Sequence, residues 1–143
     1  MTVEHSVTAR FSQAIVEAAQ RQGIALPDTL RDALSGQVRV SMAQQDALWS
    51  LFVGAGADPL AALRLGTDLQ AGHLDIVGML LLSCDTLGDG LEVLSEYAPI
   101  IGDNARFEVA REGRRILLRY LPDYAVCREQ RVEAALGCVL SLA

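Results

Sequence analysis

The stretch LLLSCDTLGDGLEVLSEYAPI, residues 80–100, constrains the fold more than any other part of the chain. An apolar run ends at Ser83-Cys84-Asp85-Thr86, and a second patterned run starts at once. Leu87, Leu91, Leu94, Ala98 and Ile101 repeat at i, i+4 spacing, which predicts an amphipathic helix entered at Thr86, with Asp89 completing an S/T-x-x-D/E-type cap. Leu74–Leu82 is apolar nearly all round and predicts a helix buried on most sides. Two helices joined by four polar residues make an αα corner, whose side chains satisfy backbone groups that an abrupt turn strands.

Upstream the period stays helical. Ser6 is placed to cap a helix carrying Val7, Phe11, Ile15 and Ala18 or Ala19, ended by Gly23. Pro27 opens a short helix with Leu30 and Leu34, stopped by Gly36. Ser41 and Gln44 match a capping box ahead of Ala47, Leu48, Leu51 and Phe52. Asp58-Pro59 signals another start, leading to Leu60, Leu63 and Thr67. Past Pro99 and Gly102 the period changes. ARFEVAREGRRILLRYLP, residues 105–122, alternates with period two around Glu112-Gly113 and predicts a β-hairpin. A turn at those two residues pairs Val109 with Ile116 and Phe107 with Leu118, leaving Glu108, Arg115 and Arg119 on a wet face. From Tyr124 the helical period returns, with Val132, Ala135, Leu136, Val139 and Leu142 inward. The fold class predicted is α+β, mostly helical: about six helices with one antiparallel hairpin packed on them. A lone two-stranded ribbon is marginal without further elements to complete it. The apolar pattern also runs uncapped into Ala143, which predicts that more chain, or a partner subunit, follows.

The chain has 143 residues, enough for a single domain with its own core. Its hydrophobic fraction is 51%, so either the core is large or part of the surface is covered by a partner. The net charge of −6 argues against direct contact with nucleic acid. All 12 basic residues are arginine, a usage consistent with a GC-rich genome. The N-terminus lacks a signal-peptide core, and the longest apolar run, Ile76–Leu82, is far shorter than the ~20 residues a bilayer span needs. Cys84, Cys127 and Cys138 have no metal spacing and read as buried thiols. The expected setting is the cytoplasm, without membrane attachment.

No catalytic set emerges. GAGADP, residues 54–59, has proline where a dinucleotide fingerprint needs its third glycine, and follows a helix instead of a strand. His73 and Asp75 read as a loop residue and an early-turn charge, and His5 as part of a frayed end. Ser83 beside Asp85 lacks a strand–elbow–helix setting and a base. With two histidines, both poorly placed, neither a metal nor a cofactor is expected. Arg111, Arg114, Arg115 and Arg119 form the basic cluster, read either as a solvated hairpin face or as a guanidinium clamp for a carboxylate or a neighbouring domain. Tyr97, Phe107, Tyr120 and Tyr124 gather at the helix–hairpin junction, with Trp49 alone on an earlier helix. Aromatic rings beside one arginine suit a ligand pocket, with Tyr97, Phe107, Arg119 and Tyr120 its candidate lining, or they are simply core.

The order of segments in 58–121 resembles the N-terminal effector-sensing domain of AraC-type bacterial transcription regulators, in the arabinose-binding-like branch. Asp58-Pro59, Leu65-Gly66, Gly78, Ser83, Thr86-Leu87, Leu91 and Tyr97 fall in that family's order. Two departures are Cys84-Asp85, in place of a commoner polar pair, and Gly90, which loosens its helix by ~1 kcal/mol relative to alanine. The resemblance implies a sensor or dimerisation domain that binds a small-molecule effector, forms a homodimer, and meets DNA only through a separate C-terminal helix-turn-helix domain outside these residues. It also marks Ser83, Asp85 and Thr86 as a hinge where two arrangements differ. A stand-alone dimerisation or interaction module is the alternative, and a small enzyme a weaker one.

Overall fold

The computed structural model describes residues 5–56 and 58–143. Met1–Glu4 and Ala57, the latter inside the Gly54–Pro59 run considered above, lie outside them. The described elements are β1 (Ser6–Thr8), α1 (Ala9–Arg21), α2 (Asp28–Leu34), β2 (Arg39–Ser41), α3 (Met42–Ala55), α4 (Ala61–Asp68), a 3-10 turn (Ala71–Leu74), α5 (Ile76–Leu82), α6 (Leu87–Ile101), β3 (Ala105–Glu112), β4 (Arg115–Pro122) and α7 (Arg128–Leu142). Helices dominate, as the periodicity predicts, and the two long strands form an antiparallel hairpin between α6 and α7.

The N-terminus differs from expectation. Ser6 does not cap a helix; it begins a strand, and β1 pairs antiparallel with β2 through Val7↔Val40. Three-residue strands carry too little alternation to be read from sequence. Thr8 caps α1 instead, its Oγ1 accepting the Arg10 N–H. His5 is not frayed: its ring lies 3.4 Å from Asp103 and 3.6 Å from Asp123, while the Ser6 N–H donates to Asp103 at 2.7 Å.

The core fills the space between α1, α3, α4 and α7. Ile15, Ala19, Leu48, Trp49, Phe52 and Leu65 are buried there, with Trp49 and Phe52 edge to face at 6.0 Å. Each such large side chain contributes about 1.5–3 kcal/mol on leaving water. The Ser41–Gln44 capping box is formed in both directions. The buried side of α3 is rotated from expectation, however: Gln45 and Trp49 point in, and Ala47 points out. Gln45 can be buried because its carbonyl accepts the Ser12 hydroxyl at 2.6 Å.

Small residues override hydrophobicity where α4 meets α7. Asp58 starts a turn, accepting the Leu60 N–H at 2.9 Å, and α4 itself begins three residues later. Its inner face is Ala61, Ala62, Leu65 and Gly66, while Leu60 and Thr67 are exposed. On α7 the buried set is Arg131, Ala134, Gly137 and Cys138, and Leu136 is exposed. A Cβ on Gly66 lies 2.1 Å from the Ala134 carbonyl oxygen, so only glycine lets these backbones touch. Among the three cysteines Cys138 alone is buried; Cys84 and Cys127 are partly exposed.

The hairpin turns one residue later than predicted. Gly113, at φ 59°, takes the first position of the two-residue loop Gly113–Arg114, which requires a left-handed residue. The pairing is therefore Val109↔Leu118, Phe107↔Tyr120 and Glu108↔Arg119. A two-residue shift of register conserves sidedness, so the apolar and charged faces stay as read. Tyr124 is not yet helical; Cys127, at φ 51°, is the left-handed residue from which α7 starts.

The αα corner forms between α5 and α6. Ser83 Oγ donates to the Leu80 carbonyl at 2.7 Å, and Thr86 Oγ1 accepts the Asp89 N–H at 3.1 Å. Asp85 is exposed. The expected burial of the first helix is overturned. Only Val77 and Gly78 of α5 are buried, while Ile76, Met79 and Leu82 are 57%, 60% and 66% exposed, beside Leu87 at 57%. No described element lies over that face. No helix of the described residues is long and apolar enough to cross a membrane.

Candidate functional site

A partly open cavity of about 100 Å³ lies where α1, α3, α6, the hairpin and α7 converge. Its position follows from the packing just described. The helices that close tightly do so through small residues of α4 and α7. The hairpin packs on α6 through β3 and on α7 through β4, and presents the rings of Phe107 and Tyr120 to the space between them. The rings of Phe107 and Tyr120 pack tilted with centroids 4.9 Å apart, and the Tyr120 and Tyr124 hydroxyls lie 2.7 Å from each other. Burial, with Tyr124 beside it, pushes the Tyr120 phenol far above its ordinary range. Burial likewise raises Tyr124, so both are O–H groups at neutral pH. Trp49 and Gln45 form the α3 wall, Leu94 and Ala98 the α6 wall, and Ala135 and Val139 part of the α7 wall.

One charged side chain reaches this wall. Arg131 is 5% exposed, and its Nη1 donates to Asp46 at 2.7 Å and to the Val126 carbonyl at 3.2 Å. Its guanidinium lies over the Tyr124 ring at 3.8 Å and within 5.9 Å of the Trp49 ring centroid. Asp46 sits at the rim, about a third exposed. A buried guanidinium needs such a partner, since an uncompensated charge there costs several kcal/mol. Asn104, also buried, brings its amide to the cavity while its Nδ2 donates to the Met42 sulfur at 3.3 Å.

The sequence candidates divide. Phe107 and Tyr120 line the cavity. Tyr97 is exposed on α6, and Arg119 is exposed on the wet face of the hairpin opposite Glu108; neither lines it. Arg111 lies 3.6 Å from Glu92, an exposed pair. The arginine that does reach the rings, Arg131, was not singled out from the sequence, nor was Gln45. A signal existed: Arg131 occupies the i position of a helical face continued by Ala134, Ala135 and Cys138, and an arginine on an apolar face needs a partner. That its partner is Asp46, far away in sequence, is not legible locally.

The remaining polar residues do not converge. His73 Nδ1 accepts the Gln70 N–H at 3.1 Å, so its proton sits on Nε2 and is donated to Glu17 at 3.2 Å. Asp75 turns the other way, accepting from Thr8 Oγ1 at 2.9 Å. Among the described residues no three His, Cys, Asp or Glu side chains gather as a metal site would require.

Among curated proteins none matches the chain. Residues 14–143 match the family model described as "Arabinose-binding domain of AraC transcription regulator, N-term". That match spans the whole core, the αα corner, the hairpin and every wall of the cavity except Val7 and Phe11, and with it the chain belongs to the arabinose-binding-domain family of AraC transcription regulators.

Proposed function

We propose that this chain is the effector-sensing domain of an AraC-type regulator, and that the effector site is the cavity that Arg131 lines. The observation that carries the reading is the convergence of α1, α3, α6, the hairpin and α7 on one partly open pocket with a single buried guanidinium in its wall. A molecule bound there touches elements from both ends of the chain, so its binding energy depends on how they are arranged. That dependence is what a sensor needs, because a ligand shifts an equilibrium only by its differential affinity for the two states. One wall is α6, whose other end is the Ser83, Asp85 and Thr86 corner. We take that corner as the hinge through which a shift of α6 is passed on. The family description, of an N-terminal domain of a transcription regulator, supports a downstream target that is a DNA-binding domain elsewhere in the protein. The reading contains no catalytic step, and the setting it implies is the cytoplasm.

The test is a metabolite panel followed by thermal unfolding of the folded, monodisperse chain. A ligand at 100 times its Kd raises stability by about 2.7 kcal/mol, a readily measured increase in Tm. A panel of amino acids, sugars and organic acids that leaves Tm unmoved counts against the reading. A second reading, a homodimerisation module, is favoured by the uncovered face of Ile76, Met79, Leu82 and Leu87. Patches of this kind on monomers commonly mark interaction sites. Sedimentation showing a monomer at high concentration removes it.

A further inference from the structure

The lining of the cavity is lopsided in its hydrogen-bonding chemistry. No aspartate or glutamate lines it. The Gln45 carbonyl is occupied by Ser12, which leaves the amide NH2 as the group available to a bound molecule. Arg131 spends Nη1 on Asp46 and Val126, whereas its Nη2 meets the Met42 thioether at 3.8 Å, a weak acceptor. Guanidinium hydrogens are therefore left for a ligand. The Tyr120–Tyr124 pair uses one hydroxyl hydrogen between its members and keeps the other. Against these donors the side-chain acceptors are fewer: the Asn104 carbonyl and the lone pairs left on the paired tyrosine hydroxyls. Phe11, Trp49, Leu74, Leu94 and Val139 are among the apolar residues of the remaining lining.

We infer that the cavity takes a short monocarboxylate with a hydrocarbon body, its carboxylate on Arg131 and Gln45, and does not take a sugar. The inference rests on the sensor reading above and names the ligand class of the same site. A pentose brings several hydroxyls that each donate and accept, and each one left unpaired costs about 1–3 kcal/mol. This wall has too few acceptors to pair every hydroxyl of a sugar. A carboxylate, by contrast, only accepts, and charge-assisted bonds to guanidinium are the strong kind. Size agrees: a cavity of about 150 Å³ holds benzene, so about 100 Å³ suits a body of roughly four carbons. The ligand also competes with Asp46. Its carboxylate and Asp46 share one guanidinium, and Asp46, at the rim, can return to water at low cost. Occupancy thus loosens the Arg131–Asp46 link between α7 and α3, a contact that an uncharged ligand leaves intact.

The experiment follows amide resonances of the cavity residues while isovalerate, isoamyl alcohol and L-arabinose are each titrated into the wild-type chain. Isovalerate is expected to bind about tenfold or more tightly than isoamyl alcohol, the difference a charged hydrogen bond makes, with no cavity shifts from L-arabinose. In Asp46→Asn the competitor charge is gone. Affinity for isovalerate then rises, affinity for isoamyl alcohol does not, and isovalerate recovers part of the lost Tm. Should Asp46→Asn not fold, Ala135→Leu, which fills the cavity, serves instead: isovalerate shifts disappear while circular dichroism is unchanged. Equal affinity for acid and alcohol, or cavity shifts from L-arabinose, overturns the carboxylate class and leaves the sensor reading standing. Silence from all three probes also overturns the class, and the broader metabolite panel then decides the sensor reading separately.

Discussion

The α4–α7 seam and the α5–α6 corner are both helix pairs built from apolar sequence, yet they solve opposite problems. At the seam, small residues bring backbones into contact, and nearly everything facing the partner helix is buried. At the corner, large residues predominate, and more than half of each of four residues stays in water. Hydropathy ranks the corner as the more buried of the two, since IVGMLLL is the greasiest run in the chain. The structure reverses that ranking because burial needs a partner surface as well as apolar atoms. The seam is a fixed part of the body, whereas the corner leaves its apolar surface uncovered.

The sharpest way to break this comparison is Gly66→Ala. The added Cβ falls 2.1 Å from the Ala134 carbonyl oxygen, so one helix must move. Overpacking against backbone costs about 3 kcal/mol, partly offset by the better helix propensity of alanine. Urea denaturation should show that loss with an unchanged m-value. A Gly66→Ala protein as stable as the wild type means the seam is loose and the contrast with the corner false.

This seam also marks where the sequence is legible. The capping signals at Ser41–Gln44 and Thr86, the αα corner, and the change of period at the hairpin are local, and they appear where expected. Which side of α4 or α7 is buried is decided by the partner helix. An alanine–glycine stripe carries almost no hydrophobic contrast, so Leu60, Leu63 and Leu136 looked like better inner residues than Ala61, Gly66 and Gly137. The candidate site divides in the same way. Phe107 and Tyr120 follow from alternation along the hairpin, and alternation fixes the wet face that holds Arg119. Arg131, Gln45 and Asn104 owe their burial to long-range bonds with Asp46, Ser12 and Met42. Nothing within a window of sequence encodes those bonds.

Asp75, at the end of α5 opposite the Ser83–Thr86 corner, gives a second, smaller test. It holds φ 60° and ψ −149°, a conformation that is nearly glycine's alone and costs about 1–3 kcal/mol. It is kept there by two accepted hydrogen bonds, from Thr8 Oγ1 and from the Ile76 N–H at 2.8 Å. Those bonds, the Thr8 hydroxyl first, hold its carboxyl below the ordinary aspartate range. Asp75→Ala loses both bonds and keeps the strain, with an expected loss of about 2 kcal/mol. Asp75→Gly loses the bonds but sheds the strain, and should be the milder variant. A depressed carboxyl favours the folded state above its unfolded value, ~3.9, and that contribution vanishes as pH falls through the lower folded value. Wild type should therefore lose more Tm than Asp75→Gly when taken from pH 5 into that acid window. Parallel profiles for the two proteins would remove the strained tether between β1 and α5, and with it the anchored end that sets α5 apart from its exposed face.

The exposed face of the corner makes the smallest prediction for stability and the clearest one for assembly. Replacing Leu82 and Leu87 together by serine removes apolar surface that already lies largely in water. Folding stability should therefore change by no more than about 0.5 kcal/mol per site. Thr86 is untouched, so the cap that begins α6 survives. If the corner meets a second copy of the chain, the same pair of substitutions weakens that contact directly. Sedimentation equilibrium then shifts the wild-type dimer toward monomer, while the urea midpoint of the monomer barely moves. Had the two leucines belonged to the core, the pattern would invert, with several kcal/mol lost. The separation of the two readouts follows from where the apolar surface sits: a substitution at the seam acts on buried contacts and so on folding, whereas one at the corner acts on exposed surface and reaches only what that surface meets.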